Sequence, residues 1–173
     1  MFTNNQYANE ILIYADNISY DSENNLIAKG KAKVISENEI ITSDLIIIND
    51  KKKLVILPKE FRYKDEENNF YYGTSGEFST DFNEGKINDI KMILKDGSRI
   101  VGKTAFKNDK IDLIHKGVFS PCTSRIKIKN FICPIWQLES EKMLHDRDNL
   151  FLHNKHVKMR VLNLPVYYFP YMV

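Results

Sequence analysis

The side chains that could bind a metal ion or act as nucleophiles are concentrated toward the end of the chain. Both cysteines, Cys122 and Cys133, lie there. The histidines are His115, His145, His153 and His156. Ten residues separate the cysteines, which is not a zinc-knuckle spacing, and the histidines form no metalloprotease motif. We therefore predict neither a metal site nor a cofactor.

The carboxylates of the same region also fail to indicate catalysis. Asp146 and Asp148 are two residues apart, but a turn whose Asp side chains bond the backbone is the favoured interpretation. The sequence contains no glycine-rich phosphate loop and no facing pair of carboxylates that carbohydrate chemistry would require. No enzyme is predicted.

The state of the cysteines depends on the compartment. Two cysteines favour a disulfide in an exported chain and free buried thiols in a cytoplasmic one. The start, Met1 to Glu10, is polar and lacks the apolar run of an export signal, and no apolar stretch is long enough for a membrane-spanning helix. We expect either a cytoplasmic protein or a piece of a longer exported chain, which leaves the cysteines open at this point.

The composition favours one folded domain and excludes an electrostatic argument for nucleic acid. The 173 residues are 43% hydrophobic and 28% charged, with a net charge of +2. Lysines are scattered along the chain and do not form a basic tract, and the aromatic residues show no base-stacking arrangement. No nucleic-acid partner is predicted.

Apolar and polar residues alternate with period two in several windows, as in strands with one buried face. The alternating apolar positions are Leu26, Ala28, Ala32, Val34, Ile100, Phe106, Ile126, Ile128, Val157, Met159 and Val161. Turns rich in Asn, Asp and Gly separate these windows. An all-β fold is predicted.

A loose repeat of roughly thirty residues is visible when the chain is aligned on these turns. The unit has a small or acidic residue, a strand, an Asp turn and a returning strand, as in residues 15–34 and 42–50. Two interpretations stay open: a repeat architecture in which each unit covers the apolar edge of the last, and a plain β-sandwich with similar hairpins.

An ordered set of motifs in the tail resembles a known family. They are Ser-Pro-Cys at residues 120–122, Pro-Ile-Trp-Gln-Leu at 134–138, Glu141 through His145 and Asp146, Asn154 through Lys158, and Pro-Val-Tyr-Tyr-Phe-Pro-Tyr at 165–171. In this order they resemble the N-terminal periplasmic, OstA-like domain of the lipopolysaccharide-assembly outer-membrane protein LptD. Near the start, Ala-Asp-x-x-x-Tyr-Asp at residues 15–21 and Ala-x-Gly-x-Ala-x-Val at residues 28–34 resemble the repeat of OstA-like lipopolysaccharide-transport domains. The resemblance covers roughly residues 11–171.

The resemblance implies a twisted β-jellyroll, open along one side, whose apolar interior passes the acyl chains of lipopolysaccharide toward an outer-membrane barrel. It implies a polar extension at residues 1–10, the jellyroll at 11–162, and a junction at 163–173 that leads into a barrel absent from this chain. The expected location is the periplasmic face of the outer membrane. The alternative is a soluble periplasmic bridge or scaffold protein of the same repeat type, without a barrel.

The resemblance also implies roles for individual residues. The inward members of the strands would bind lipid: Leu26, Ala28, Ala32, Val34, Leu45, Ile47, Ile100, Phe106, Ile111 and Leu113. The edge strand Ile11, Leu12, Ile13 and Tyr14 would pair with the periplasmic bridge protein of the transport system. The barrel junction would comprise Pro165, Tyr167, Tyr168, Pro170 and Tyr171. In the full-length protein, the plug lipoprotein of the barrel and the outer membrane would be further partners.

The family adds a second possibility for the cysteines. Its members can pair cysteines of this domain with a cysteine pair late in the barrel, and Cys122 matches the Ser-Pro-Cys position. Cys133, however, lies close to Cys122 and not near the N-terminus. A local Cys122–Cys133 disulfide and a long-range pairing therefore both stay open.

Overall fold

The structure is a computed structural model that describes residues 11–108, 110–121, 125–128, 131–149 and 151–173. Within these residues every regular element is a β-strand, which confirms the all-β prediction. The described part contains no helix that is long and apolar enough to cross a membrane.

The strands are numbered along the chain. In order they are β1 (Ile11–Tyr14), β2 (Asn17–Tyr20), β3 (Leu26–Ser36), β4 (Glu39–Asn49), β5 (Leu54–Leu57), β6 (Phe61–Lys64), β7 (Phe70–Gly73), β8 (Ser75–Ser79), β9 (Gly85–Asn88), β10 (Lys91–Ile93), β11 (Arg99–Val101), β12 (Thr104–Lys107), β13 (Ile111–Ser120), β14 (Arg125–Ile128), β15 (Phe131–Pro134), β16 (Trp136–Asp146), β17 (Phe151–Val161) and β18 (Leu164–Met172).

The first edge of the fold is made by β1 and β2, which lie one after the other along β3. The edge is interrupted at residues 15–16, and β3 carries a bulge at the same level, where the φ angles of Gly30 and Lys31 are +76° and +46°. Asp16 donates its backbone N–H to the Gly30 carbonyl over 2.9 Å. The interruption and the bulge therefore bend both strands at the same level, where the hydrogen bond between Asp16 and Gly30 keeps them joined.

The long strand β4 belongs to two sheets at once. It pairs with β3 on one side, while on the other its residues 40–43 pair with β6 and its residues 47–49 pair with β5. Sheet 1 continues through β6, β7, β10 and β11, and sheet 2 through β5, β8, β9 and β12. Both join again on β13, which pairs with β11 through residues 118–120 and with β12 through residues 112–115.

Short links carry the chain between the two sheets, at residues 58–60, 74, 89–90 and 102–103. The strand registers place all of them along the same edge of the sheet pair, which we call the link side. The opposite edges end in hairpin turns, at residues 65–69 and 94–98 of sheet 1 and at 50–53 and 80–84 of sheet 2. We call this opposite edge the hairpin side. The result is an antiparallel jellyroll in which every connection between the sheets that the described residues make lies on the link side.

Aromatic and aliphatic side chains fill the space between the sheets. The Tyr63 ring of sheet 1 lies 5.3 Å from the Phe78 ring of sheet 2 and 5.1 Å from the Tyr71 ring, measured between centroids. The largest fully buried side chains are Tyr63, Tyr71, Phe78, Phe82, Ile41, Ile46, Leu57, Ile87, Met92, Ile100, Ile114 and Met143. These contacts hold the two sheets face to face.

The long strands bend where they pass from one sheet to the other. In β4 the successive buried positions Ser43 and Ile46 are three residues apart, whereas a regular strand buries every second residue. The same spacing separates Ile114 from Gly117 in β13, where Lys116 adopts a φ of +51°. Each bend therefore reverses which members of the alternation face the interior.

The chain ends in a ribbon in which β13, β16, β17 and β18 pair in succession. β14 and β15 form a separate hairpin in which Ile126 pairs with Cys133. Cys122 lies outside the described residues, and only the backbone of Cys133 is described. The local and long-range disulfides both remain predictions.

The predicted boundary between domain and junction falls at the last hairpin. Residues 164–172 form β18, which continues the sheet along β17 with a bulge between Met159 and Arg160. In the described structure this segment is thus a strand of the same sheet. Residues 1–10, predicted to be a polar extension, lie outside the described range.

Candidate functional site

A large cavity in the described part of the chain lies between the two sheets on the hairpin side, near the C-terminal ribbon. It has a volume of about 730 Å³, within the range of small-molecule pockets. Its apolar wall is formed by Leu94, Phe119 and Leu152, each of which is half-buried and packs against the core. The full lining is Glu67, Asn69, Leu94, Lys95, Asp96, Ser98, Phe119, His145, Arg147 and Leu152. We call this space the C-terminal cavity.

Charged groups surround the apolar wall of the C-terminal cavity. His145 Nδ1 lies 3.1 Å from Oδ2 of the buried Asp112, and Arg147 Nε lies 4.0 Å from the same oxygen. Arg147 also donates a 2.6 Å hydrogen bond to the Asn108 carbonyl. Burial disfavours the guanidinium charge, but neighbouring groups, Asp112 foremost, hold the pKa of Arg147 above its ordinary value. The cavity therefore combines an apolar wall with a fixed cation at its rim.

A second, smaller pocket adjoins the first on the hairpin side, toward the N-terminal end. Its volume is about 330 Å³ and its lining is almost entirely polar. The lining residues are Ser36, Glu37, Glu39, Asp65, Glu66, Glu67, Asp81, Asn83, Lys107 and Arg147. Glu67 and Arg147 line both pockets, so the two are neighbours along one opening. We call this space the acidic pocket.

Beneath the acidic pocket the two sheets are in contact. The Tyr63 hydroxyl donates a short hydrogen bond to Glu39 Oε1, and both belong to strands on the sheet 1 side. From sheet 2, Lys107 Nζ donates to the Phe82 carbonyl over 2.5 Å and lies 5.6 Å from the centroid of the Tyr63 ring. The hairpin side is thus closed at its N-terminal half and open at its C-terminal half.

The predicted lipid-binding residues do not share one face. Ala28, Ala32, Val34 and Ile100 are fully buried between the sheets, and Leu26 packs against them at the margin. These five therefore occupy the interior, as their inward assignment requires.

The other five lie on the outer face, so their inward assignment is wrong. Phe106 is 42% exposed and Ile111 is 38% exposed, whereas their strand neighbours Ala105 and Asp112 are buried. The other three are Leu45, Ile47 and Leu113, which alternate with buried residues of the same strands and so lie on the outer face. The bend in β4 reverses the alternation before Leu45 and Ile47, and the link at residues 102–103 reverses it before Phe106. Leu113 pairs with Phe106 and therefore shares its outer face. No local pattern marks either reversal.

The residues of the apolar wall, Leu94, Phe119 and Leu152, were not predicted as site residues. Leu94 follows β10, Phe119 lies near the end of β13, and Leu152 lies near the start of β17. Only the pairing of distant strands brings them together. The single local indication is that Phe119 directly precedes the Ser-Pro-Cys motif.

The predicted partner edge lies at a border of the sheet. Among the described strands, β1 pairs with β3 alone, and its Leu12 and Tyr14 side chains are 48% and 55% exposed. Ile11 and Ile13 point to the other face and pack against the core. Pairing of this edge with another protein remains a prediction.

The predicted junction residues lie on the opposite border. Eight of the nine residues of β18 are exposed, including Pro165, Tyr167, Tyr168, Pro170 and Tyr171. Because exposed side chains point to both faces, this strand extends the sheet beyond the core.

No family model and no curated protein matches the chain. Among solved structures, the fold is similar to the crystal structure of LptH from Pseudomonas aeruginosa, described as the LptA homologous periplasmic component of the lipopolysaccharide transport device. The match covers 88% of this chain and 95% of that one, with a TM-score of 0.48 and 12% identical residues.

Proposed function

We propose that this protein is a lipid-carrying domain that holds acyl chains of lipopolysaccharide between its two sheets during transport to the outer membrane. The observation that carries the proposal is the C-terminal cavity, about 730 Å³ in volume and open between the sheets. Its apolar wall offers an acyl chain about 0.8 kcal/mol per buried methylene. Lys95, an exposed cation in its lining, suits the phosphates of a lipid head group.

The ordered motifs of the tail support the lipopolysaccharide part of the proposal. They resemble the periplasmic domain of the outer-membrane assembly protein LptD and extend from residue 120 to residue 171. On this ground we assign the domain to the outer-membrane component in preference to a soluble bridge protein. β18 would then lead toward a barrel in the outer membrane, where the plug lipoprotein is a further partner.

The exposed first edge supports a partner at the other border. A strand that pairs on one side only offers unpaired backbone N–H and C=O groups to another chain. We propose that β1, residues 11–14, accepts a strand of the periplasmic bridge protein that delivers the lipid. The lipid would then enter beside the first edge and leave beside the last.

Photo-crosslinking tests the lipid site directly. A benzoylphenylalanine at Leu152 or Phe119 of the purified chain is expected to form a covalent adduct with lipopolysaccharide upon irradiation, because both side chains line the C-terminal cavity. The matched controls are His153 and Val118, the next residues of the same strands, whose side chains face outward. Labelling of the controls as strongly as of Leu152 and Phe119, measured by immunoblot for lipopolysaccharide, would contradict the proposal.

A further inference from the structure

The turn between β8 and β9 folds inward over the interior at its Phe82 residue. Phe82 has a φ of +56°, an unfavourable conformation for a bulky residue, and yet it is fully buried. Its ring lies 6.1 Å from Tyr63 and 6.4 Å from Phe78, centroid to centroid. The aromatic contacts offset the backbone cost, which is of the order of 1–3 kcal/mol. The inward position of the turn therefore depends on the Tyr63 side of the interior.

Lys107 fastens this turn. It is the last residue of β12 and is only 6% exposed, which is rare for lysine. Its ammonium donates to the Phe82 carbonyl and lies near the face of the Tyr63 ring. Burial lowers the pKa of Lys107, and the Glu39 carboxylate partly offsets that effect. A buried cation is thus retained where it contacts both sheets.

Glu39 completes the contact from the sheet 1 side. It accepts the hydrogen bond of the Tyr63 hydroxyl, and burial raises its pKa although that hydrogen bond acts in the opposite direction. We call the group Glu39, Tyr63, Phe82 and Lys107 the latch. Two of its members belong to each side of the opening.

The acidic pocket above the latch is unfavourable for an anionic ligand. Its carboxylates are Glu37, Glu39, Asp65, Glu66, Glu67 and Asp81, against the two cations Lys107 and Arg147. A lipid phosphate would meet like charges there, at a cost that grows with burial. Along the same opening, the C-terminal cavity offers an apolar wall, and its lining has two carboxylates, Glu67 and Asp96, beside the cations Lys95 and Arg147.

We infer that the latch confines a resting acyl chain to the C-terminal cavity, and that lipid extends along the N-terminal half only when Phe82 and Lys107 release Tyr63 and Glu39. The inference rests on the lipid-carrying function proposed above. It adds an order of occupancy, in which the C-terminal cavity is filled first and the N-terminal half of the interior second. The ligand class is an anionic amphiphile with a long acyl chain. Lys107 is the residue that sets the occupied length of the interior.

The substitution Lys107→Met tests the latch, since it keeps a long unbranched side chain and removes the ammonium. Amide hydrogen exchange in residues 80–84 is expected to become about tenfold faster or more, the factor that loss of a hydrogen bond from a charged group gives. The variant is also expected to bind more molecules of a dansyl-labelled undecanoic acid per chain than the unmodified protein. Fluorescence titration measures that number.

Two further variants keep the test decisive. Lys103→Met removes an exposed lysine that pairs with Asp89 on the surface, and it is expected to leave exchange and probe binding unchanged. Glu39→Gln keeps an acceptor for Tyr63 but removes the charge that faces Lys107, and it is expected to shift both readouts in the direction of Lys107→Met by a smaller factor. If Lys107→Met does not fold, hydrogen exchange and probe binding of Glu39→Gln test the latch in its place.

The outcomes separate the latch from the function on which it rests. Unchanged exchange in residues 80–84 for Lys107→Met and Glu39→Gln would overturn the latch, whatever the probe does. Faster exchange with the same amount of bound probe would overturn the order of occupancy. If the unmodified protein binds no probe, the proposed function is wrong. Hydrogen exchange in residues 80–84 then remains the test of the latch contacts.

Discussion

The two ends of the sheet are built differently, although each ends in an edge strand. At the first end, β3 and β4 bury alternate side chains such as Val34 and Ile41 in the core. At the last end, β18 exposes eight of its nine residues. The β3–β4 hairpin is therefore part of the hydrophobic core. β18, in contrast, is attached by backbone pairing and by side-chain pairs on its surface.

The surface pairs of the last strand join tyrosines to histidines. His153 Nδ1 lies 2.9 Å from the Tyr171 hydroxyl, and His156 Nδ1 lies 2.8 Å from the Tyr168 hydroxyl. Exposed hydrogen bonds of this kind contribute little net free energy, because water competes for both partners. The comparison teaches that the long strands β3 and β4 are held by the core, whereas the last strand is held at its surface and can rearrange at low cost.

The largest expected difference between the ends comes from truncation of an aliphatic side chain at each. Ile41→Ala, fully buried in β4, is expected to lower the free energy of unfolding by about 2–5 kcal/mol through lost burial and a residual cavity. Leu164→Ala, in β18, is expected to change it by no more than about 0.5 kcal/mol. Urea denaturation measures both. Similar losses at the two sites would show that the last strand is packed as tightly as the first.

Substitutions at the strand bends are expected to give the next largest change in the free energy of unfolding. Gly30→Ala is expected to lower the free energy of unfolding by about 1–3 kcal/mol, because the residue needs a φ of +76° and a new Cβ would lie 2.6 Å from Asp16 Oδ2. In β17 the buried positions Asn154 and Val157 are likewise three residues apart, and between them His156, a residue with a side chain, adopts a φ of +53°. His156→Gly is therefore expected to cost far less than Gly30→Ala. Equal thermal melting temperatures for Gly30→Ala and the unmodified protein would refute a strained bend.

Removal of one tyrosine hydroxyl, from the core at Tyr63 or from the surface at Tyr168, is expected to change the free energy of unfolding least. Tyr63→Phe is expected to lower the free energy of unfolding by about 1 kcal/mol, because Glu39 loses a donor in a buried site. Tyr168→Phe is expected to stay within about 0.5 kcal/mol, since both partners of its hydrogen bond reach water. Chemical denaturation of the two variants side by side checks the order, and a reversed order would remove the distinction between core and surface pairs.

Local features of the fold could be predicted from the sequence because short-range contacts determine them. The turn at residues 21–25 is an example, since Asp21 Oδ1 accepts the backbone N–H groups of Glu23 and Asn25. The turn at Asp146 likewise bonds the Asn149 N–H, as the favoured interpretation of its carboxylates required. Side-chain chemistry within four residues is sufficient for such turns.

The faces of the strands could be predicted only within stretches that no bend or link interrupts. In β3 the alternation through Ala28, Ala32 and Val34 is right, because Ala28 and Ala32 are four residues apart across the bulge at Gly30 and Lys31, an even spacing that keeps them on one face. In β4 the single extra residue between Ser43 and Ile46 reverses it. The apolar wall of the cavity could not be predicted, since separate strands contribute Leu94, Phe119 and Leu152 and their pairing is a tertiary event.

The short links between the sheets also bear on the order of folding. Among the described pairings, no strand pairs with one further along the chain than Ile111 with Asp146. Each strand therefore finds its neighbour within a limited stretch of chain, and the entropy of closing a long loop is never lost in one step. The jellyroll can assemble progressively from β3 and β4 toward β18, with each new hairpin adding to a sheet already in place. A chain interrupted midway would accordingly still contain every pairing partner of its earliest strands.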